Sequence, residues 1–402
     1  MFLYLILIAA SLAHINLSIK EKKSFRLSSA EKISLSKKTK VNDYYALQYY
    51  ADFKLGSPGQ TISMILDTGS SYAWVPNINC SCHTTTHQFS ASASSTYKNL
   101  SIEKDVEYGM GYIKGTLSTD VLSINGLKAE DMKFILVSQS SDLDGLAADG
   151  LVGLAFNSLS DGYPVFVEVL YEQNVIEKPV FSFYLGESSK KDSFITFGGL
   201  EDEYTKGKTK QIIDIYTDYG FWLSIIYSVS FDSNDISNSA AWVILDTGTS
   251  AIYGPSSDVQ KILQMLKKKY TCYYSNLIIC ECSKSSCLKA GNLEFMIGNE
   301  NIIITPENYL YCEDEYCWVL IGDSGDRYWL LGQPLFREYY TVHDMSIPQM
   351  ELYRNKESEI SYKVFWIILA IIILCGIGAF IVYYFLKNRN NENENENYMP
   401  LT

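Results

Sequence analysis

Two short segments of this 402-residue chain place an aspartate in the same setting. Met64-Ile65-Leu66-Asp67-Thr68-Gly69-Ser70-Ser71 recurs 179 residues later as Val243-Ile244-Leu245-Asp246-Thr247-Gly248-Thr249-Ser250. A second pair keeps that spacing: Gly150-Leu151-Val152-Gly153-Leu154-Ala155-Phe156 answers to Trp329-Leu330-Leu331-Gly332-Gln333-Pro334-Leu335. Each Asp-Thr-Gly follows an apolar run that reads as a buried strand, so the carboxylate emerges where the strand breaks into a turn. A single copy would be an Asx-turn at a strand end. Two copies inside matching hydrophobic repeats point to two related lobes. An approximate two-fold axis between the lobes would bring Asp67 and Asp246 face to face. Like charges at that range cannot both ionise, so the pair holds one proton and is at once an acid and a base. That suits activation of a water molecule against an amide carbonyl. Backbone N–H groups near Gly69 and Gly248, with the hydroxyls of Ser70 and Thr249, are the nearest donors for two buried carboxylates.

The remaining chain must supply those lobes. Residues 1–13 form an apolar run closed by small residues, too short to span a bilayer, and read as a signal peptide. Residues 14–40 carry eight Lys or Arg and two Glu, whereas the chain as a whole has a net charge of −13. A basic segment beside an acidic domain reads either as a solvated arm or as an inhibitory prosegment released when carboxylates protonate. The export context favours a propeptide over residues 14–43. Val364 to Leu386 is 23 residues without a charge, long enough for a transmembrane helix, with Lys387 and Arg389 just beyond. The expectation is a single-pass type I membrane protein with its bulk lumenal or extracellular, in an endolysosomal, vacuolar or cell-surface membrane. A linker at 355–363 and a cytosolic tail at 387–402 complete the ends. Tyr398-Met399-Pro400-Leu401 in that tail resembles a tyrosine-based sorting signal, which makes a sorting adaptor an expected partner.

Eight cysteines precede the apolar run, an even set in an oxidising compartment, so disulfides are expected. The alternative for Cys80, Cys82, His83 and His87 is a zinc site, which export disfavours. Asn79 and Asn99 open glycosylation sequons. An exported domain this acidic offers nothing to nucleic acid. About 310 residues remain between the ends, large for one core and suited to two lobes.

Over residues 44–354 the chain resembles the pepsin and cathepsin D family of aspartic proteases. The motifs carrying the likeness are Tyr49 through Pro58, the stretch from Asp67 to Ser71 with Trp74-Val75-Pro76, the second turn from Asp246 to Ser250, and Tyr108-Gly109-Met110-Gly111. The resemblance implies a mainly β, bilobal pepsin-like fold of two pseudo-symmetric β lobes, 44–205 and 206–354, to which this chain adds its transmembrane helix. It also implies an endopeptidase acting at acid pH on extended peptides, preferring large apolar residues at the scissile bond, without cofactor or metal, as a monomer. A shared-proton carboxylate pair is established behaviour for that family. By the same likeness Asp67 and Asp246 are catalytic. Tyr108 and Gly109 belong to a flap over the substrate, which Gly69, Gly248 and Thr249 also contact. Thr68 and Thr247 interlock beneath the pair, Ser70 bonds a carboxylate, and Trp74 packs behind Tyr108.

Three departures stand out, beside one further likeness among the cysteines. Met110 and Tyr112 replace small hydroxyl residues of the flap, which bears on substrate preference. Gln333 stands where an aspartate is frequent, which bears on the pH optimum. Cys80 and Cys82 are one residue apart where the family closes a longer loop. Cys280 or Cys282 with Cys312 or Cys317 would resemble the family's second-lobe disulfide. A non-catalytic peptide-binding relative would need neither aspartate nor its hydroxyl neighbours. A two-carboxylate glycosidase does not predict a duplicated Asp-Thr-Gly with a flap between. A retroviral-type protease carries one motif per subunit, and this chain carries both.

Overall fold

The computed structural model describes residues 38–355 except 45–47, 83–85, 110, 144, 187–192 and 326, and helical residues between 366 and 382. Two compact units result, 1–355 and 356–402. The expected signal peptide, most of the basic segment, the residues 356–363 of the linker and the tail with Tyr398-Leu401 lie outside the described residues. In the second unit, residues 366–367, 369–375, 377–379 and 381–382 are helical, with exposed apolar side chains such as Ile372 and Leu374. Among the described residues no helix is long and apolar enough to cross a membrane.

The first unit is built on strands. Its first half contributes β1 (Lys38–Tyr44), β2 (Gln48–Leu55), β3 (Gln60–Asp67), β4 (Trp74–Ser81), β5 (Lys98–Tyr108), β6 (Gly111–Ile124), β7 (Leu127–Ser141), β8 (Gly150–Gly153), β9 (Val180–Tyr184) and β10 (Ser193–Phe197). The second half opens with β11 (Lys210–Asp214), β12 (Leu223–Phe231), β13 (Asn234–Ser237), β14 (Ala241–Leu245), β15 (Ile252–Gly254), β16 (Thr271–Ser275) and β17 (Leu277–Glu281). It closes with β18 (Leu293–Ile297), β19 (Glu300–Ile304), β20 (Leu310–Glu313), β21 (Tyr316–Asp323), β22 (Tyr328–Leu331), β23 (Tyr339–Asp344) and β24 (Gln349–Arg354). Thirteen strands form one sheet in the order β11-β24-β23-β9-β10-β1-β2-β3-β8-β4-β7-β6-β5. Eleven form the other, β16-β17-β21-β15-β22-β14-β12-β18-β19, with β13 on β12 and β20 on β21.

The internal repeat becomes a repeated topology. β3 runs parallel to β8 with Met64 opposite Gly150, and β14 runs parallel to β22 with Val243 opposite Trp329, so both registers keep the spacing of the sequence. Parallel strands covered on both faces read as continuous apolar runs, and the last four residues of β3 and the last three of β14 are buried. Each motif glycine lets the chain after the aspartate pass over the neighbouring strand. A Cβ on Gly153 would lie 2.3 Å from the Ser71 carbonyl carbon, and one on Gly332 would lie 2.2 Å from the Thr249 oxygen. Neither position tolerates a side chain.

The lobes are stitched together. β11, β23 and β24 come from the second half yet pair into the first-half sheet, and the fully buried Trp222 donates its Nε1–H to the Leu154 carbonyl at 2.9 Å. β1 lies partly within the segment expected as propeptide and bridges β10 and β2, opposite Thr196 at one end and Gln48 at the other. Without it, the facing edges of β10 and β2 would lose their ladder partners.

The cysteine pairing differs from the one the family likeness implied. The bonds are Cys80–Cys82, Cys272–Cys280, Cys282–Cys287 and Cys312–Cys317. Cys272 faces Cys280 across β16 and β17 with Cα atoms 4.1 Å apart, and Cys312 faces Cys317 across β20 and β21 at 4.0 Å. Each hairpin therefore brings its own two sulfurs within bonding reach, and the bridge is closed locally. Cys280 and Cys317 are themselves cross-strand neighbours, so the two bridges lie side by side.

Candidate active site

Asp67 ends β3, and Asp246 directly follows β14. Both side chains sit in almost fully buried surroundings, 6% and 8% exposed. Each carboxylate is served by its own turn. Gly69 N–H donates to Asp67 Oδ1 at 2.9 Å and the Ser70 hydroxyl donates to Oδ2; Gly248 N–H donates to Asp246 Oδ1 at 2.7 Å and Thr249 Oγ1 donates to Oδ2 at 2.5 Å. The four contacts are two copies of one pattern. Donors to a charged acceptor favour the ionised form, so each turn is built to hold a carboxylate.

The turns also clasp each other. Thr68 N–H donates to Thr247 Oγ1 at 3.0 Å, and Thr247 N–H donates to Thr68 Oγ1 at 2.9 Å. Each hydroxyl then donates across the axis, Thr68 to the Leu245 carbonyl at 2.9 Å and Thr247 to the Leu66 carbonyl at 2.7 Å. Four buried hydrogen bonds thus fix one turn against the other. Above this lock, each glycine backbone lies against the opposite aspartate. A Cβ on Gly69 would fall 2.6 Å from Asp246 Cγ, and one on Gly248 would fall 2.3 Å from Asp67 Oδ1.

Asp67 and Asp246 lie within hydrogen-bonding reach of one another. Burial first, then the Asp246 charge and the hydrogen bond to Asp246, hold the Asp67 carboxyl well above the usual carboxylate range, against the pull of Ser70 and Gly69. Asp67 thereby keeps a proton against the pull of the donors in its own turn. Such a pair can take a proton from water with one oxygen and deliver a proton with another.

β5 and β6 form a hairpin closing at Tyr108 opposite Gly111. Gly109 lies in its turn, and Met110 is outside the described residues. Tyr108 packs against Trp74 with ring centroids 6.4 Å apart, and burial, followed by the Asp67 charge, pushes its phenol pKa up. Its hydroxyl stays a neutral donor. The residues singled out from the sequence therefore gather in one place: Asp67, Asp246, Thr68, Thr247, Gly69, Gly248, Ser70 and Thr249 at the lock, with Tyr108 and Trp74 to one side. Tyr112 is partly exposed, and its hydroxyl accepts from Gln139 Nε2 at 3.0 Å. Gln333 is fully buried, donates to the Thr247 carbonyl at 3.4 Å, and its Oε1 has no hydrogen-bond partner among the described residues. Cys80 and Cys82 are bonded to each other and His87 Nδ1 lies 3.1 Å from Asp149 Oδ2, so neither thiol is left as a thiolate ligand; His83 is outside the described residues.

Sequence reasoning missed a group beside the hairpin: Tyr72, Lys104 and Asp161 meet there. They are 89 and 57 residues apart along the chain and share no motif, so no local signal marked them.

Two stitched β lobes with paired aspartates on a duplicated turn define the aspartic peptidase class. Residues 48–353 match the family described as eukaryotic aspartyl protease, and the chain belongs to that family. It is 30% identical over 324 residues to pepsin II-2/3 of Oryctolagus cuniculus, covering 78% of this chain and 82% of the relative. It is 29% identical over 331 residues to cathepsin D of Gallus gallus, covering 76% and 80%, and 30% identical over 324 residues to vacuolar protease A of Aspergillus fumigatus, covering 76% and 78%. The protein is a pepsin-like aspartic endopeptidase.

Proposed function

We propose that Asp67 and Asp246 hold the attacking water between them and cleave internal peptide bonds without a covalent intermediate. The pair takes one proton from the water as its oxygen attacks the scissile carbonyl, and returns a proton to the leaving nitrogen as the carbon–nitrogen bond breaks. The observation carrying this reading is the pair itself, two buried carboxylates within hydrogen-bonding reach and donated to symmetrically by Gly69, Ser70, Gly248 and Thr249. Tyr108 and Gly109, at the end of the hairpin, close over the substrate, with Trp74 behind them. Gly69, Gly248 and Thr249 bring backbone and hydroxyl close to the bound peptide. Large apolar side chains flank the scissile bond.

The pair needs one proton and one charge, so activity is confined to acid pH and falls as rising pH removes the retained proton. The basic segment from residue 14 masks the enzyme until that acid is met. The uncharged run 364–386 anchors the chain by a single helix, leaving the catalytic unit outside the cytosol and Tyr398-Leu401 facing an adaptor. An endolysosomal or vacuolar membrane suits this arrangement, and one relative is named as a vacuolar protease.

Asp67→Asn and Asp246→Asn are each expected to reduce kcat on a mixed peptide library by about 10³-fold or more at acid pH. Wild-type cleavage should stop with a statine-type inhibitor. Full activity in either variant would remove the pair from the chemistry. Recovery of the full-length protein in the soluble fraction after alkaline carbonate extraction would remove the anchor.

A further inference from the structure

We infer that Lys104, Asp161 and Tyr72 form a strap that sets the height of the β5–β6 hairpin over the carboxylate pair, making Lys104 a positioning residue for peptide hydrolysis. This rests on the proposed reading of that hairpin as the substrate-covering flap.

Residues alternate along a strand, so the faces of β5 can be told apart. Glu103, Asp105 and Glu107 are exposed, whereas Lys104, Val106 and Tyr108 are half-buried on the other face. Val106 and Tyr108 pack into the cluster that contains Tyr72, Trp74 and Ile113. Lys104 therefore sits on the inner face, four residues before Tyr108. Its ammonium donates to Asp161 Oδ2, and the Tyr72 hydroxyl donates to the same oxygen at 2.6 Å. The Lys104 nitrogen lies 5.9 Å from the centre of the Tyr72 ring, close enough for a cation–π contribution.

Three segments meet at that carboxylate. Lys104 belongs to the hairpin, and Tyr72 lies five residues beyond Asp67 in the segment that carries it. Asp161 caps the short helix Asn157–Ser160 in the left-handed conformation. The segment leading to this helix is itself bound to the catalytic turn, with Ala155 N–H donating to the Ser70 carbonyl and Ser71 Oγ to the Phe156 carbonyl at 2.6 Å. Asp161 is thus a fixed post on the same frame as Asp67, and Lys104 ties the hairpin to it.

The lysine of this pair is more shielded than those of the other lysine–aspartate contacts of the hairpin region, while Asp161 stays nearly as exposed as their aspartates. The Lys104 side chain retains 20% of its exposure, against 64% for Lys98 in its pair with Asp131 and 47% for Lys114 in its pair with Asp105. Exposed pairs are mostly neutral to stability, whereas a shielded ammonium sharing its acceptor with a phenol has a defined geometry. The Lys104 hydrogen bond first, and the Tyr72 hydroxyl second, also hold the Asp161 carboxyl below its ordinary range. Tip and base of the hairpin are then held by different means: Tyr108 on Trp74 near the turn, and an ionic tie further down.

The test uses the full-length protein after acid activation, with Lys104→Met, Asp161→Asn, the double variant and Lys104→Arg, each assayed for kcat and KM on one peptide. Lys104→Met and Asp161→Asn should each raise KM about five- to tenfold, the size expected when one charge-assisted contact orders a substrate-binding element, with kcat within about twofold of wild type. The double variant should be no worse than the worse single variant, and Lys104→Arg should restore most of the loss. Amide hydrogen exchange over residues 102–114 should quicken in the single variants while Tm stays put. Unchanged KM and exchange, additive losses in the double variant, or a KM change that merely follows a drop in Tm would each overturn the strap. Tyr108→Ala separates the two readings: if it impairs cleavage while Lys104→Met does not, the strap fails and the flap stands. If neither variant changes cleavage, the flap reading has failed.

Discussion

His343 on β23 is fully buried and stacked on Phe181 with ring centroids 4.5 Å apart, edge-on to Trp222 at 4.8 Å. Neither ring nitrogen makes a hydrogen bond of ordinary geometry among the described residues. Burial lowers its pKa from 6.5 to about 3, with the Phe181 backbone opposing. The unfolded chain therefore binds a proton here that the folded chain refuses until far lower pH, so the stability His343 allows is intact above pH 6.5 and is lost as pH falls toward 3. From those two values the loss amounts to about 3 kcal/mol by pH 4.5 and approaches about 5 kcal/mol below pH 3. If the enzyme acts in acid as proposed, it carries an acid liability in the sheet that joins its lobes. His343→Phe keeps the stack and removes the titration. The assay is urea unfolding at pH 7.5, 6.5, 5.5 and 4.5, with both proteins carrying Asp246→Asn to prevent self-digestion. Relative to its histidine parent, the phenylalanine protein should gain about 3 kcal/mol between the two ends of that series. The comparison across pH cancels any constant cost of fitting a larger ring. Parallel stability curves for the two proteins would show that His343 is not a buried neutral imidazole and refute the reasoning.

Other consequences can be checked independently. Thr68→Ala and Thr247→Ala should each cost about 1–3 kcal/mol in unfolding free energy, because each leaves buried backbone groups unpaired; a double-mutant cycle should show strong coupling, and additive losses would break the lock. Gly69→Ala should abolish cleavage, since its methyl would lie 2.6 Å from the Asp246 carboxyl carbon, and inhibitor binding measured by calorimetry should vanish with it. If β1 belongs to the mature enzyme as a bridge between β10 and β2, mass spectrometry of the activated protein should find its N-terminus at or before Lys38. A mature N-terminus beyond Tyr44 would show that the bridge is expendable.

Much of the architecture is legible in the sequence. The duplicated Asp-Thr-Gly, the apolar runs before it and the second repeat at the same spacing are properties of short windows, and short windows encode strand, turn and repeat directly. That was enough to place two lobes and to pair Asp67 with Asp246. The cysteines were less legible, because eight of them admit many pairings and strand register chooses among these. Once β16 faces β17 and β20 faces β21, the local bonds between Cys272 and Cys280 and between Cys312 and Cys317 follow.

What the residues by themselves determined is the pair of acidic turns, their hydroxyl and glycine neighbours, and the strands that end in them. What only the folded molecule decided is how distant segments lie against each other: the glycine of one turn against the aspartate of the other, the crossed threonines, His343 inside an aromatic stack, and Lys104 tied to Asp161. The physical reason is the range of the interactions. Periodicity and turn chemistry act over a few residues, whereas a buried hydrogen bond across 179 residues exists only after the packing of two sheets has set its distance and angle.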